Sequence, residues 1–331
     1  MSNNQEEILL SICVPTYKLP DGIRRLFSNL AEQETAGVEI LIRDDSPDDL
    51  TENLVKDFVS KNSINIRYFR GEKASVGGYD TALLFLIEEA KGRFIFWYGD
   101  DVMAPGALAK ILQLIRENSD LSLIWINTAG IENNQDLGIR LPADRFFDDP
   151  NEILEVDVGL LGFTSIIRRD LALTGLAEAK KFIGSALACF YLVLHVLSQR
   201  RGRSFFLRQP LIFCEAKPVG EIRWYDSFQV HGFNYYLIGL KFRKKFKRKS
   251  FRRAFGDQFG QIWRAVLVER ARGFTTGFGM KISARQLWQM ARFYWSFPEL
   301  WIALPLFLLP RPILKFLYGI YKKFFPEHYQ R

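Results

Sequence analysis

Residues 94–101 read FIFWYGDD, five apolar or aromatic residues that run through a glycine into two adjacent carboxylates, Asp100 and Asp101. Like charges side by side at the end of a half-buried segment repel, and burying them is costly unless something neutralises both. A hard divalent cation does this with oxygen ligands: Mn2+ or Mg2+ takes one or two carboxylates while a diphosphate completes its shell. Taken alone, the pair equally fits a solvated turn, or an N-cap by Asp101 for a helix entered near Pro105. Three other stretches weigh on the choice: VPTYK (Val14–Lys18), RDDSPDD (Arg43–Asp49) and ASVGGYD (Ala74–Asp80). Glycines let backbone approach a ligand closely, and Gly77-Gly78 sits where a helix N-terminus can face a phosphate. A carboxylate of RDDSPDD can accept a hydrogen bond from a ribose hydroxyl or a base N–H. No G-x-G-x-x-G follows the first apolar run, so a dinucleotide-dependent dehydrogenase is disfavoured.

The first half of the chain alternates in the way needed to bring these stretches together. Strand-like runs fall at Ile8–Val14, Val38–Asp44, Ile64–Arg70, 93–99 and Leu121–Asn127. Helical patterns fall between them at Ile23–Gln33, Leu50–Lys61, Thr81–Gly92 and after Pro105. Strand, helix, strand at this spacing predicts parallel pairing through right-handed crossovers. The four polar stretches then share one rim of an open α/β sheet, where such sheets bind ligands. A further strand is expected within Leu160–Asp170, with a polar loop from Asn127 to about Pro150 and helical material through Arg200.

Charge divides the 331 residues unevenly. Residues 1–160 carry 15 Lys/Arg against 28 Asp/Glu, a net of −13; residues 161–331 carry 30 against 9, a net of +21; the sum is +8. The second half concentrates its charge in Lys241–Arg253, with nine basic residues in thirteen and Phe242, Phe246 and Phe251 interleaved. An aromatic-rich stretch follows at Phe293–Phe325, but Pro298, Pro305, Pro310 and Pro312 and the charges of Glu299, Arg311 and Lys315 interrupt it. A membrane span needs about 20 uninterrupted apolar residues. Short apolar helices flanked by Trp, Tyr, Lys and Arg instead suit the bilayer interface, where each basic residue adds about 1 kcal/mol of attraction to an anionic leaflet. Three scattered cysteines, Cys13, Cys189 and Cys214, give neither zinc spacing nor a disulfide framework, and MSNNQEE is no signal peptide, so a cytoplasmic setting is expected.

Four segments together, SICVPTYKLPDGIRRLFSNL, VEILIRDDSPDDLTENL, GGYDTALLFLIEEAKGRFIFWYGDDVMAPGAL and GFTSIIRRD, resemble the family 2 glycosyltransferases of the GT-A fold, above all bacterial enzymes that build O-antigen and other surface polysaccharides. The likeness covers roughly residues 8–200 by pattern. It implies a GT-A fold, Rossmann-like with a mostly parallel open sheet flanked by helices, over residues 1–215, with a nucleotide-diphosphate sugar donor, a divalent metal and usually inversion at the anomeric carbon. The basic, aromatic-rich residues 216–331 are expected to form a helical, membrane-associating region, and together with the likeness they suggest a glycan acceptor linked to a polyprenyl diphosphate. Residue by residue, Pro15, Thr16 and Tyr17 match the nucleobase pocket and Asp45 the carboxylate that contacts the base, with Asp44 beside it. Gly78 and Asp80 match the segment beside the nucleotide, and Asp100 the last acid of D-x-D, which holds the metal, followed by Asp101.

Two positions depart from the family pattern. Tyr98 stands where D-x-D has its first acid, and Gly184 and Ser185 stand where the family's Glu-Asp pair, the source of its general base, should fall. Candidates for the base are His195, Glu215, Glu221 and Asp226, while Arg168 and Arg169 are candidate phosphate contacts. The missing pair leaves open a catalytically inactive, sugar-nucleotide-binding scaffold at the membrane, and the basic run leaves open a nucleic-acid binder that stacks bases on its phenylalanines. The acidic rim argues against the latter, so no specific nucleic acid is expected. Attachment is expected at the inner face of the cell membrane, on an anionic surface.

Overall fold

The computed structural model describes residues 7–71, 77–99, 101–131, 141–162, 164–214, 228–273 and 283–324. The chain divides into two compact units, Met1–Ala216 with Lys244–Phe246, and Lys217–Arg243 with Lys247–Arg331. The expected domain boundary at residues 215 and 216 lies outside the described residues.

In the first unit the apolar runs become β1 (Leu10–Thr16), β2 (Val38–Asp44), β3 (Ile66–Arg70) and β4 (Phe94–Trp97), joined by α1 (Pro20–Leu30), α2 (Leu50–Lys61) and α3 (Gly78–Glu89). Next come β5 (Val102–Met103), α4 (Ala107–Glu117), β6 (Leu121–Gly130) and β7 (Arg145–Phe147). The unit closes with α5 (Pro150–Val156), α6 (Val158–Leu161), β8 (Ser165–Arg168), α7 (Arg169–Leu173), α8 (Leu176–Ala179), α9 (Ala188–Gln199) and β9 (Arg203–Cys214). They form one sheet in the order β3-β2-β1-β4-β8-β6-β9-β5, with β7 also on β9. Neighbours from β3 to β4 are parallel, as are β6 and β9. Six strands (β1 to β4, β6 and β9) thus point one way, and β5, β7 and β8 oppose them.

β8 corrects the expectation that β4 and β6 pair directly. It lies between them, antiparallel to both, with Ile166 opposite Phe96 on one side and Ile124 on the other. The short helices α5 and α6 deliver the chain to the carboxyl ends of β4 and β6, so the next strand must start there and run back. The segment expected to be a loop from Asn127 is strand as far as Gly130 and again at β7; residues 132–140 lie outside the described set. The core on one face packs Ile12, Ile40, Ile42, Phe94 and Phe96 against Ile23, Leu26 and Leu30 of α1 and Leu108, Ile111 and Ile115 of α4.

The second unit is helical: α10 (Tyr235–Phe242), α11 (Arg248–Arg272), α12 (Ala284–Tyr294), α13 (Pro298–Leu308) and α14 (Arg311–Phe324). Its core is aromatic. The Tyr294 ring stacks on Phe259 at 4.0 Å and meets Tyr236 at 4.7 Å, and its hydroxyl donates to the Gly232 carbonyl. Arg270 donates to the Phe307 carbonyl at 2.6 Å and Arg272 to the Tyr318 hydroxyl at 2.9 Å, which fastens α13 and α14 to α11. Phe242, Phe246 and Phe251 of the basic run are all buried. They cannot stack nucleobases, and the nucleic-acid reading loses the feature that motivated it. α13 continues through Pro305, and among the described residues no helix is long and apolar enough to cross a membrane.

Candidate functional site

The parallel half of the sheet aligns its carboxyl ends: Thr16 pairs with Asp44 and Asp44 with Arg70, while Cys13 pairs with Trp97. The loops leaving β1 and β2 are tied to each other, because Asp45 N donates to Thr16 O at 3.1 Å and Lys18 N to Ser46 Oγ at 2.7 Å. Lys18 adopts φ +51°, and this left-handed turn leaves the Tyr17 ring 53% exposed at the mouth, with Lys18 Nζ 5.3 Å from its centroid. Pro15 is half-buried, and the buried Thr16 Oγ1 has no hydrogen-bond partner among the described residues. An orphaned buried hydroxyl is costly unless a ligand meets it.

Asp44 and Asp45 divide their work. Asp44 is fully buried, accepting from Ser46 N at 2.9 Å and the Tyr68 hydroxyl at 3.1 Å, with Arg70 at 3.8 Å. Burial above all, with the Asp44 charge adding to it, pushes the Tyr68 phenol up to about 12, so Tyr68 stays a donor. Asp44 therefore serves the fold, and its expected place against the ligand is corrected. Asp45 accepts from Arg43 Nε at 3.1 Å, and Arg43 in turn lies over the Phe85 ring at 4.7 Å. Asp45 also rests on Gly71, where a Cβ would come within 1.6 Å of its Oδ1, so glycine is required for the carboxylate to sit there. Ser46, Tyr68 and Arg43 were given no role by the sequence; the polar run Asp44-Asp45-Ser46 at the end of β2 is the signal that could have found Ser46.

Gly77 (φ +83°) and Gly78 (φ +29°) open α3, and among the described residues nothing lies within 4 Å of where a Gly78 Cβ would stand. Asp80 does not turn toward that opening. Its Oδ2 accepts from Gly184 N at 2.9 Å and Ala186 N at 2.8 Å, and its Oδ1 from Ala188 N at 3.1 Å. Desolvation holds its carboxyl above the ordinary value, although these N–H groups pull the other way. The expectation that Asp80 contacts the nucleotide is corrected: its acceptors face the turn that lacks the expected acid pair.

At the end of β4, Trp97 Nε1 donates to the Gly162 carbonyl at 3.2 Å. Tyr98, which stands at a position expected to contact the nucleotide sugar, is buried, and its hydroxyl donates to the Asp101 carbonyl at 2.5 Å, so it shapes the turn. Asp100 lies outside the described residues; Asp101 is half-exposed at the turn. Among the described residues no group of three or more His, Cys, Asp or Glu is placed to hold a metal.

His195 is not on this rim. α9 begins beside Asp80, and seven residues carry it about 10 Å along the axis. There His195 Nε2 shares a 2.8 Å hydrogen bond with Thr174 Oγ1, and the ring packs on Gly175, so it is a packing residue and not the base. Arg168 pairs with Phe94 at the opposite end of β4 and binds Asp170 at 2.8 Å, and Arg169 N bonds Arg93 O, which removes both arginines from the phosphate role. Glu215, Glu221 and Asp226 lie outside the described residues, although β9 brings Cys214 to the carboxyl-end rim beside Gly130.

A mixed sheet whose parallel half gathers its polar loops at the carboxyl ends, flanked by helices, is the GT-A fold. Residues 11–174 belong to the glycosyl transferase family 2, whose model they match. It is 30% identical over 134 residues to the UDP-Glc:alpha-D-GlcNAc-diphosphoundecaprenol beta-1,3-glucosyltransferase of Escherichia coli, covering 40% of this chain and 51% of that protein. It is 27% identical over 119 residues to the abequosyltransferase of Salmonella typhimurium, 35% of each chain. The chain thus spans about half the length of the first of these curated relatives and about a third of the second. Among solved structures, S. aureus TarS 1-349 in complex with UDP-GlcNAc matches with a TM-score of 0.67 over 94% of this chain and 91% of that one, at 15% identity, a likeness of fold.

Proposed function

We propose that the chain transfers a sugar from a nucleotide-diphosphate donor to a glycan acceptor carried on a polyprenyl diphosphate, with inversion, in surface-polysaccharide synthesis. The observation that carries this reading is the mouth between β1 and β2. An exposed Tyr17 ring, an orphaned Thr16 hydroxyl and the Asp45 carboxylate there supply a stacking face, a donor and an acceptor for a nucleobase. The name of the 30% identical relative, which states an acceptor on diphosphoundecaprenol, supports the acceptor class.

Asp100 and Asp101 are the acids that would hold a divalent cation, Mn2+ or Mg2+, and with two protein carboxylates the remaining positions would fall to diphosphate oxygens and water. Bound there, such an ion supplies charge neutralisation for a departing diphosphate. The chain's own part is to seat the base at Tyr17 and Asp45, to fix the Asp101 turn through Tyr98, and to take the acceptor proton. Glu215, Glu221 and Asp226 are the base candidates that remain; in the sequence Glu215 directly follows Cys214, the last residue of β9. The same reading seats the protein on the inner face of the cell membrane through residues 216–331. That the 184–188 turn carries no acid favours a second reading, an inactive donor-binding scaffold.

The test is a panel of sugar nucleotides with Mn2+, read by thermal stabilisation and by transfer to a polyprenyl-diphosphate glycan. One donor should stabilise the protein, by about 2.7 kcal/mol at 100 times its dissociation constant. Asp100→Ala and Asp101→Ala together should abolish the Mn2+ dependence and cut turnover by about a hundredfold or more. Stabilisation without turnover selects the scaffold, and unchanged turnover in the double variant sinks the metal assignment.

A further inference from the structure

The three backbone donors that meet Asp80 belong to an unusual turn. Gly184 (φ +91°) and Ala186 (φ +62°) are both left-handed, and Ala186 has a side chain that disfavours this conformation. Alternating right- and left-handed residues point successive N–H groups inward and form a concavity suited to an anion. The anion here is internal: Asp80, 1% exposed, one turn into α3. Two further contacts press α3 onto the turn. A Cβ on Gly77 would approach Ile183 Cγ2 to 2.2 Å, so the close packing requires glycine, and Lys180 binds Glu88 at 2.9 Å.

The turn also has a fixed place along the rim. The Gly162 carbonyl accepts from Trp97 Nε1 at the end of β4 and from Cys189 Sγ at the start of α9, so residues 184–189 stand beside the end of β4. In the sheet, β4 flanks β1 on the side away from β2. A donor with its base between β1 and β2 and its diphosphate at Asp100 and Asp101, as the proposed function has it, would extend its sugar toward β4 and this turn.

We propose that Asp80 is a positioning residue whose carboxylate fills the N–H concavity of residues 184–188 and so fixes the acceptor-side wall of the cleft. The side chain does not touch the nucleotide; it holds a backbone turn that meets the transferred sugar and the acceptor. The placement of that wall rests on the donor orientation of the proposed function, whereas the hold of Asp80 on the turn does not.

The test is Asp80→Asn in the full chain. An amide keeps one acceptor and turns two N–H donors toward backbone donors, so the turn loses its anion while the side-chain volume stays. Amide hydrogen exchange over 184–188 should quicken by about tenfold or more, the equivalent of one lost hydrogen bond. Calorimetric affinity for UDP with Mn2+ should stay within about threefold of wild type. Transfer to the lipid-linked acceptor should fall by about a hundredfold, the scale set by a displacement of about 1 Å. Gly184→Ala, which strains the same turn where a Cβ has open space, should show the same split in milder form and stands in if Asp80→Asn does not fold. Unchanged exchange in a folded Asp80→Asn protein, or UDP affinity lost in step with transfer, overturns the proposal. If wild type binds neither UDP nor the nucleoside diphosphate of any other donor in the panel, the donor reading is at fault, and the exchange result alone decides the role of Asp80.

Discussion

Asp44 and Asp45, adjacent in sequence, are both buried but meet different partners, because β2 ends at Asp44 and Asp45 belongs to the loop beyond it. One is consumed by Ser46 and Tyr68, and the other sits at the mouth on Gly71. Sequence spacing located the pair but could not divide it, since the deciding partners come from β3. His195 shows the same limit: a histidine in an apolar helix looked usable until Thr174 and Gly175 enclosed it. Burial first, and the Lys245 charge second, hold its imidazole below the ordinary 6.5. Between that folded value and the unfolded one near 6.5, the unfolded chain binds more protons, so stability rises with pH through this window and falls on acidification below about 6.5. His195→Gln should therefore lose less thermal midpoint than wild type between pH 7.5 and 5.5, while keeping sugar transfer at pH 7.5 within about threefold. Activity collapse in a folded His195→Gln protein would restore a catalytic histidine.

At the scale of elements, α2 and β2 fall where their patterns predict, Leu50–Lys61 and Val38–Asp44, because β2 is an almost wholly buried run and α2 sets Leu54, Val55 and Phe58 against the core. β8 could be seen as a strand in Leu160–Asp170, but its insertion between β4 and β6 is set by where α6 releases the chain, which no local pattern encodes. The 184–188 turn was invisible as a site for the same reason: its donors are backbone groups, and its partner lies about a hundred residues earlier in α3. What clamps the strands at the end opposite the rim is Glu39, fully buried in β2. It accepts from Ser11 Oγ of β1 at 2.6 Å and from Lys91 N before β4 at 2.5 Å, with Arg67 of β3 at 3.4 Å. Glu39→Ala strands these donors, and removing one partner of such a buried network costs about 3 kcal/mol or more. Urea unfolding should show that loss, with UDP affinity of the folded protein unchanged. A loss below about 1 kcal/mol would mean that Arg67 and water take over the carboxylate's work.

For the whole molecule, the charge division read from the sequence meets a surface the sequence could only hint at. Trp288, Trp295 and Trp301 are 59%, 66% and 60% exposed, and Trp301 Nε1 donates to the Trp295 carbonyl at 2.9 Å, which sets the Trp301 ring against the backbone of Trp295. On α14, Ile313, Phe316, Leu317, Ile320 and Tyr321 are exposed at the i, i+3, i+4, i+7, i+8 spacing of one helical stripe. Arg292 lies over the Trp288 ring at 5.2 Å, and Arg311, Lys315 and Lys323 are exposed alongside the stripe. Exposed apolar stripes of this extent are costly in water, and their Trp and basic borders suit an interface between acyl chains and anionic headgroups. The proposed seat on the membrane then has a definite test in flotation with vesicles. Wild type should bind phosphatidylglycerol-containing vesicles and release in high salt, since basic residues contribute about 1 kcal/mol each near an anionic surface. Replacing Trp288, Trp295 and Trp301 by Ala should weaken partitioning by more than about a hundredfold, at about 1 kcal/mol for each ring withdrawn from water. The same variant should keep Mn2+-dependent UDP binding, because these rings belong to the second unit and the nucleotide mouth to the first. Equal flotation of the triple variant and wild type would move the attachment off this face and leave the basic run of Lys241–Arg253 to account for it.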